Sequence, residues 1–516
     1  MKNPFLILCC LLLSTIVFSQ NVIVETENGK IEGEFKDDLN YFLGVPYAQP
    51  PLNSLRWHKP VELDEWEGIK ETKKFAPSAM QTNVFGDMIY RSDGKSEDCL
   101  YLNIWSPEID EDKKLPVLVY FYGGGFVAGD GSEPRYDGST LAKQGIVTVT
   151  VNYRLNIFGF FAHPELSKEA DYNASGNYGL LDQSAALKWV YENIENFGGD
   201  PDKITIAGES AGSISVSAQM ASPLSKEFLA GAIGESGSSI NPTLAPVSLT
   251  EAEKIGVDFL NEAGYSFSEF RNLPSDTIYK IYQESGRFGF PTVIDNYFLP
   301  KTLPEIFRDK EQAQIPLLVG WNSAEVSAEA LMQDNVMNLK NYRSKLDELY
   351  PENSEKVFQL YKPESEDEVR MMAAELASDR FISYSTWKWA DLHANNSEKP
   401  VFRYLFSRIR PSDPNSSYKP VGAAHASEIE YFLGNLSKDQ FPYLTETDFE
   451  ISKTIQQYLL NFIKTGDPNG NGLVDWPSVE PNDKNPPVLI MDEDFKVKNS
   501  EIEKRYQFLD VSYGNN

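Results

Sequence analysis

The chain has 516 residues, 41% of them hydrophobic and 24% charged, which supports a large buried core and excludes a disordered or collagen-like chain. Its formal net charge is −29, spread without a basic block, so electrostatics oppose contact with nucleic acid and anionic membranes.

Residues 1–19 read apart from the rest: Lys2 precedes an apolar run from Phe5 to Phe18, and Val17-Phe18-Ser19 stands before Gln20. That pattern predicts a secretory signal peptide and a periplasmic or extracellular destination. The run is shorter than the ~20 residues a spanning helix needs, and no later apolar stretch reaches that length, so no stable membrane insertion is expected. Cys9 and Cys10 fall inside the leader, which leaves Cys99 alone in the mature chain. A lone thiol forms no internal disulfide, so the core must hold the exported chain.

After the leader, "NVIVETENGKIEGEF" alternates apolar and polar residues around Asn28-Gly29 and predicts a hairpin. Short apolar runs then recur at 115–122, 146–153, 203–208, 315–320 and 401–406. Helix-like stretches lie between them: Leu187, Val190, Tyr191 and Ile194 are spaced three and four apart and stop at Gly198-Gly199. Buried strands alternating with helices give the α/β class, with a large, mostly parallel central sheet covered on both faces. The stretches around 250–300 and 323–399 carry helical periodicity and predict helical insertions over one end of the sheet. No repeat or linker divides residues 20–516, which read as one domain.

"KITIAGESAGSISVSAQM" turns from a strand pattern into a helix pattern at Gly208-Glu209-Ser210-Ala211-Gly212. Such an elbow lifts a serine hydroxyl above the sheet edge and points backbone N–H groups at the helix start toward any oxyanion formed there. A bare GxSxG is a weak signal in a chain with 34 glycines. The strand before it and the helix after it make Ser210 the candidate nucleophile and Ala211 a candidate oxyanion donor.

A serine needs a base. In this architecture the order along the chain is serine, acid, histidine, which excludes His58 and His163. His393 lies in a helix-like segment and reads as a surface or packing histidine. His425 lies in the small-residue stretch "VGAAHASEIEYFLG" beyond the 401–406 strand, where catalytic groups are held on such a sheet. For the acid, Glu325 follows a strand end in "IPLLVGWNSAEVSAEA", with Glu329 and Asp295 as competitors; spacing does not choose between them. Gly123, Gly124 and Gly125 follow the strand at 115–122 and suit a second part of an oxyanion site.

With these residues in view, the chain resembles the type-B carboxylesterases, the α/β-hydrolase family that also holds the cholinesterases and the non-catalytic neuroligins. The motifs that carry the likeness are "FLGVPYAQPP" with "LRW", "EDCLYLNIW", "YGGGF", "VNYRLNIFGF", "GNYGLLDQSAALKWVYENIENFGGDPDKITIAGESAG" and "KTGDPNGNG". The resemblance implies Ser210 as nucleophile, Glu325 as triad acid, His425 as base, and Gly124, Gly125 and Ala211 as oxyanion donors. It also implies hydrolysis of small-molecule carboxylic esters through an acyl-enzyme, without metal or organic cofactor. Arg287, Phe288 and Phe290 in "GRFGFP" match the family's loop near the acyl pocket.

The chain departs from the family pattern in places. Val326 follows the triad glutamate where glycine is common. Met80 stands at the position of the usual disulfide partner of the "EDCL" cysteine, so Cys99 is expected to be a buried free thiol. The loop before "EDCL" lacks the tryptophan with which cholinesterases hold a quaternary ammonium, so choline esters are not favoured. "DPNGNGLVDWPS" imitates the start of a calcium loop, but its twelfth position is Ser478 rather than a bidentate glutamate, and it reads as a turn. The sequons at Asn173, Asn395, Asn415 and Asn435 matter only in a secretory lumen. The rival reading is a binding protein on the same fold that has lost catalysis; the complete set of Ser210, Glu325 and His425 argues against it.

Overall fold

The computed structural model describes residues 20–110, 113–416, 419–499 and 502–514. The expected leader lies outside the described residues.

Thirteen strands form the main sheet: β1 (Gln20–Thr26), β2 (Gly29–Lys36), β3 (Leu39–Pro46), β4 (Ile69–Glu71), β5 (Tyr101–Pro107), β6 (Leu115–Phe121), β7 (Val147–Val151), β8 (Gly199–Glu209), β9 (Gly231–Glu235), β10 (Leu317–Asn322), β11 (Val401–Phe406), β12 (Pro487–Met491) and β13 (Lys496–Asn499). Their spatial order is β1-β2-β3-β5-β7-β6-β8-β9-β10-β11-β12-β13, with β4 on β2. From β7 through β12 every pair is parallel, while β1, β2, β3, β5 and β7 pair antiparallel in that order, as do the last two strands; β4 runs parallel to β2.

Residue choice follows that division. The parallel strands are buried on both faces, so β7 is an uninterrupted VTVTV and β10 reads LLVGWN, every position buried. The edge strand β13, KVKN, is mostly exposed, and its lysines discourage further strands from adding there. The hairpin between β1 and β2 forms as expected, but Thr26 pairs with Gly29, so the loop is Glu27-Asn28, one residue earlier than the dipeptide rule places it.

Helices cover the sheet. The first long one, α1 (Tyr178–Asn193), ends in a 3-10 turn over Ile194–Phe197 just before Gly198. A shorter one, α2 (Ala211–Ala221), is buried along its whole length. Its small residues, AGSISVSAQMA, let its axis press against β8 and β9 without side-chain collision. The predicted insertions are helical at Leu249–Ala263, Ser275–Glu284, Leu339–Leu349, Val369–Ser378 and Tyr384–Asn396. Strand periodicity was absent there for a reason: the pairings are a two-residue ladder, Val247–Ser248 with Val293–Ile294, and a single bridge at Ala324. The helices from 329 to 378 and the one at Glu503–Tyr513 enclose a second apolar cluster that includes Met332, Tyr342, Phe358, Leu376 and Tyr506.

Chain order reverses between β6 and β8, which lie side by side with β7 beyond β6. In open α/β sheets the loops at the carboxyl ends around such a reversal form the natural crevice.

Candidate active site

Ser210 follows the last residue of β8 and precedes the first residue of α2. Its backbone is at φ 56°, ψ −121°, a conformation that costs a side-chain-bearing residue roughly 1–3 kcal/mol. The surrounding contacts hold it there: Ser210 N–H donates to Glu235 O at 2.9 Å, and Ser210 O accepts from Ile214 N–H at 2.9 Å. The neighbouring glycines are required by proximity. A Cβ on Gly212 would lie 2.0 Å from Phe121 O, and one on Gly208 would lie 2.5 Å from the Gly212 carbonyl carbon.

His425 and Glu325 arrive on loops beyond β11 and β10. A single bridge between Ala324 and Ala424 joins the two loops, with Ala324 N–H donating to Ala423 O at 2.9 Å and His425 N–H to Glu325 O at 3.3 Å. The side chains then form a line: His425 Nε2 lies 2.9 Å from Ser210 Oγ, and His425 Nδ1 lies 2.7 Å from Glu325 Oε2. The other oxygen, Glu325 Oε1, accepts from Ser236 Oγ and from Asn322 N–H, both at 2.7 Å. Glu325 is 2% exposed, so its charge is held by three hydrogen bonds rather than by water.

The competing carboxylates are elsewhere. Glu329 forms an ion pair with Arg370 at 2.5 Å on the surface. Asp295 is buried, but its Oδ1 accepts from the backbone of Tyr297, Phe298 and Leu299 and its Oδ2 from Asn177. His393 is a packing histidine: fully buried, with Nε2 2.8 Å from Ile315 O.

Gly124 and Gly125 follow β6 with φ of +109° and +62°, values that favour glycine and turn the chain sharply under Ser210. Gly123 is the closest of the three to the elbow: a Cβ on it would meet Glu209 Oε2 at 2.7 Å and Ser210 Cβ at 3.1 Å. Ala211, at the first position of α2, is buried.

Three acidic residues near this line escaped sequence reasoning. Glu209 Oε1 lies 3.2 Å from His425 Nε2. Burial pushes the Glu209 carboxyl up to about 7, with His425 and Arg135 pulling the other way. Glu428 accepts from Asn322 Nδ2, and burial, reinforced by Glu209 and Glu325, pushes it up to about 8. Glu235 is raised too, by burial and then by Glu428 and Glu209. Burial alone would lower the proton affinity of His425, yet Glu209, Glu325 and Glu428 together raise it above its ordinary value. The GESAG motif contains Glu209, but contact with the imidazole depends on loops more than a hundred residues away.

A cavity of ≈ 710 Å³ opens over Ser210, lined by Gly124, Gly125, Glu209, His425, Phe288 and Phe381 among others. Phe381 also packs edge-on against His425, with ring centroids 5.3 Å apart. Of the three residues matched to the acyl-pocket loop, Phe288 alone reaches this cavity. Phe290 is buried among Phe161, Phe259 and Tyr282, and Arg287 pairs with Glu262 at 2.7 Å. Among the described residues no His, Cys, Asp and Glu group is arranged to hold a metal ion.

A strained serine on a strand-helix elbow, in line with a histidine and a buried carboxylate, can carry out acyl transfer. The model of the carboxylesterase family matches residues 20–509. The chain belongs to the carboxylesterase family. Like other members of this family of carboxylic ester hydrolases, it keeps its similarity over nearly its full length. It is 35% identical over 483 residues to the fumonisin B1 esterase of Sphingopyxis macrogoltabida, covering 89% of this chain and 85% of that one. It is 33% identical over 498 residues to the para-nitrobenzyl esterase of Bacillus subtilis, covering 94% and 97%. A crystal structure of a Geobacillus stearothermophilus carboxylesterase superposes with a TM-score of 0.80 at 30% identity, covering 94% of this chain and 99% of that one. The α/β-hydrolase architecture expected from the sequence is therefore the architecture found.

Proposed function

We propose that this carboxylesterase is an exported serine esterase in which residues 20–516 form one catalytic domain behind a cleaved leader. The reading rests on one observation above all: the 2.9 Å and 2.7 Å contacts that join Ser210, His425 and Glu325 in a line.

His425 Nε2 takes the proton of Ser210 as Oγ attacks the ester carbonyl; Glu325 orients the ring and stabilises its protonated form. The N–H groups of Gly124, Gly125 and Ala211 receive the oxyanion of the tetrahedral intermediate, and loss of one such donor costs roughly 3 kcal/mol of barrier stabilisation. His425 returns its proton to the leaving alcohol, and water, activated by the same ring, releases the acid. No step calls for a metal or an organic cofactor. Its partner is a small-molecule ester.

Labelling with a fluorophosphonate, followed by peptide mass spectrometry, tests this directly. The adduct is expected on Ser210 and is expected to disappear on denaturation and in His425→Ala. Folded protein that takes no label would overturn the esterase reading in favour of a binding role. Mass analysis of exported protein tests the leader: an N-terminus at Gln20 supports it, and an intact Met1 on exported protein refutes it.

A further inference from the structure

The wall of the cavity over Ser210 is mainly apolar, with Phe85, Met88, Ile214, Leu244, Phe288 and Phe381 on it. Besides His425, one basic side chain lies on that wall, Arg135, which is 5% exposed. It belongs to a 3-10 turn, Pro134–Tyr136, fixed by Asn435 Nδ2 donating to Arg135 O at 3.0 Å. Arg135 Nε donates to Glu133 Oε2 at 2.8 Å and Nη1 donates to Asp87 Oδ2 at 3.0 Å. Among the described residues nothing accepts from Nη2. A buried charged donor left without an acceptor is unfavourable, so an occupant that brings an acceptor to this guanidinium is favoured.

The charges nearby decide what that occupant brings. Asp87 has a side chain 62% exposed, and water screens it. Glu133 is buried and pushed up to about 7, with Arg135 pulling it down; Glu209 on the same wall is also pushed up to about 7 by burial. Burial favours the neutral form of both carboxyls, whereas a guanidinium keeps its charge throughout. Arg135 thus keeps a full positive charge on a mainly apolar wall that it shares with Asp87, Glu209 and His425, and a charge-assisted bond to a carboxylate is stronger than a bond to a neutral acceptor.

We propose that Arg135 anchors an anionic group of the substrate, so that the preferred esters carry a second carboxylate close to the scissile bond. This rests on the serine-esterase reading above. The carboxylate belongs either to the acyl or to the alcohol half, and the substrates separate the two.

The test compares kcat/KM of the purified chain for matched neutral and anionic esters. For the acyl half the pair is 4-nitrophenyl butyrate and mono-4-nitrophenyl glutarate; for the alcohol half it is phenyl acetate and 3-acetoxybenzoate. In one pair the anionic member is expected to be favoured by about tenfold or more, and Arg135→Met is expected to erase that preference mainly through KM, the equivalent of one charge-assisted hydrogen bond. Arg135→Lys is expected to restore part of it. Because Arg135→Met leaves Glu133 buried without its partner, Glu133→Gln/Arg135→Met is made in parallel and is expected to show the same loss in a chain with no stranded carboxylate. Hydrolysis of the neutral esters with no anionic preference in either pair would overturn the anchor while leaving the esterase intact. So would a preference that survives in the double variant, or a parallel fall for both members of a pair. If no ester is hydrolysed and Ser210 takes no fluorophosphonate, the esterase reading itself fails, and the anchor with it.

Discussion

Glu209 Oε1 stands 3.2 Å from His425 Nε2, the same ring nitrogen that faces Ser210 Oγ at 2.9 Å. One edge of the imidazole therefore has two oxygen neighbours, a hydroxyl and a buried carboxyl. In the proposed mechanism a negative charge at Glu209 would stabilise the imidazolium formed at His425, and it also raises the affinity of the resting ring for a proton.

Glu209→Gln separates these effects. Burial lowers the proton affinity of His425, and Glu209, Glu325 and Glu428 more than reverse this. Removing the Glu209 charge takes away one of the raising contributions. The proposed mechanism needs the neutral ring, so the acid limb of kcat/KM is expected to move to lower pH, by about one unit or more. At the plateau the rate is expected to fall about tenfold, since the imidazolium loses a nearby anion. A pH profile of the variant with its acid limb unmoved, or moved upward, would show that Glu209 does not govern His425.

Asp379 should make stability depend on pH. It is buried, with Tyr361 Oη donating to its Oδ2 at 2.8 Å, and burial pushes it up to about 7, with Arg505 pulling it down. The folded chain then holds a proton that the unfolded chain releases near 4, so stability falls as pH rises from about 4 to about 7. Asp379→Asn removes this contribution. Its thermal midpoint, measured across that range, is expected to decline less steeply than that of the parent; an equal or steeper decline would count against a proton on Asp379.

Two glycines predict opposite outcomes for the same substitution. A Cβ on Gly212 would lie 2.0 Å from Phe121 O, whereas one on Gly86 would meet nothing within 4 Å. Gly212→Ala is expected to cost several kcal/mol, on the order of the largest single-site effects, and Gly86→Ala to change stability by no more than about 0.5 kcal/mol. Denaturant midpoints give the comparison. A stable, active Gly212→Ala would mean that α2 has more room above β6 than this packing allows.

Cys99 is 1% exposed, and burial raises its thiol well above the ordinary range. A thiolate is the reactive form, so the folded protein is expected not to react with a disulfide reagent over minutes. After unfolding, an exported chain without its leader should titrate as one thiol, against the three cysteines of the full sequence. Rapid reaction of the folded chain would show that the segment around Cys99 opens readily.

Periodicity and punctuation along the chain were enough for much of the architecture. Five apolar runs became β6, β7, β8, β10 and β11, because parallel strands buried on both faces must be continuously hydrophobic. The elbow at Ser210 was legible for the same local reason: a strand, a turn of small residues and a helix are contiguous in sequence. The shortest pairings were not legible, since strands of two residues, such as Val247–Ser248 and Val293–Ile294, have no period to read.

The acid was where local reading stopped. Glu325, Glu329 and Asp295 were equivalent as sequence, and the resemblance to a family was needed to choose. In the fold, the bridge between Ala324 and Ala424 carries Glu325 to His425, while Arg370 holds Glu329 at the surface and backbone N–H groups hold Asp295. The acidic surroundings of His425, the edge contact of Phe381 and the unpaired donor of Arg135 were invisible for a related reason. Short-range patterns determine which strands and helices this chain forms, and that was in the sequence itself. Which buried charges meet depends on how loops more than a hundred residues apart are packed, and only the tertiary structure decides that.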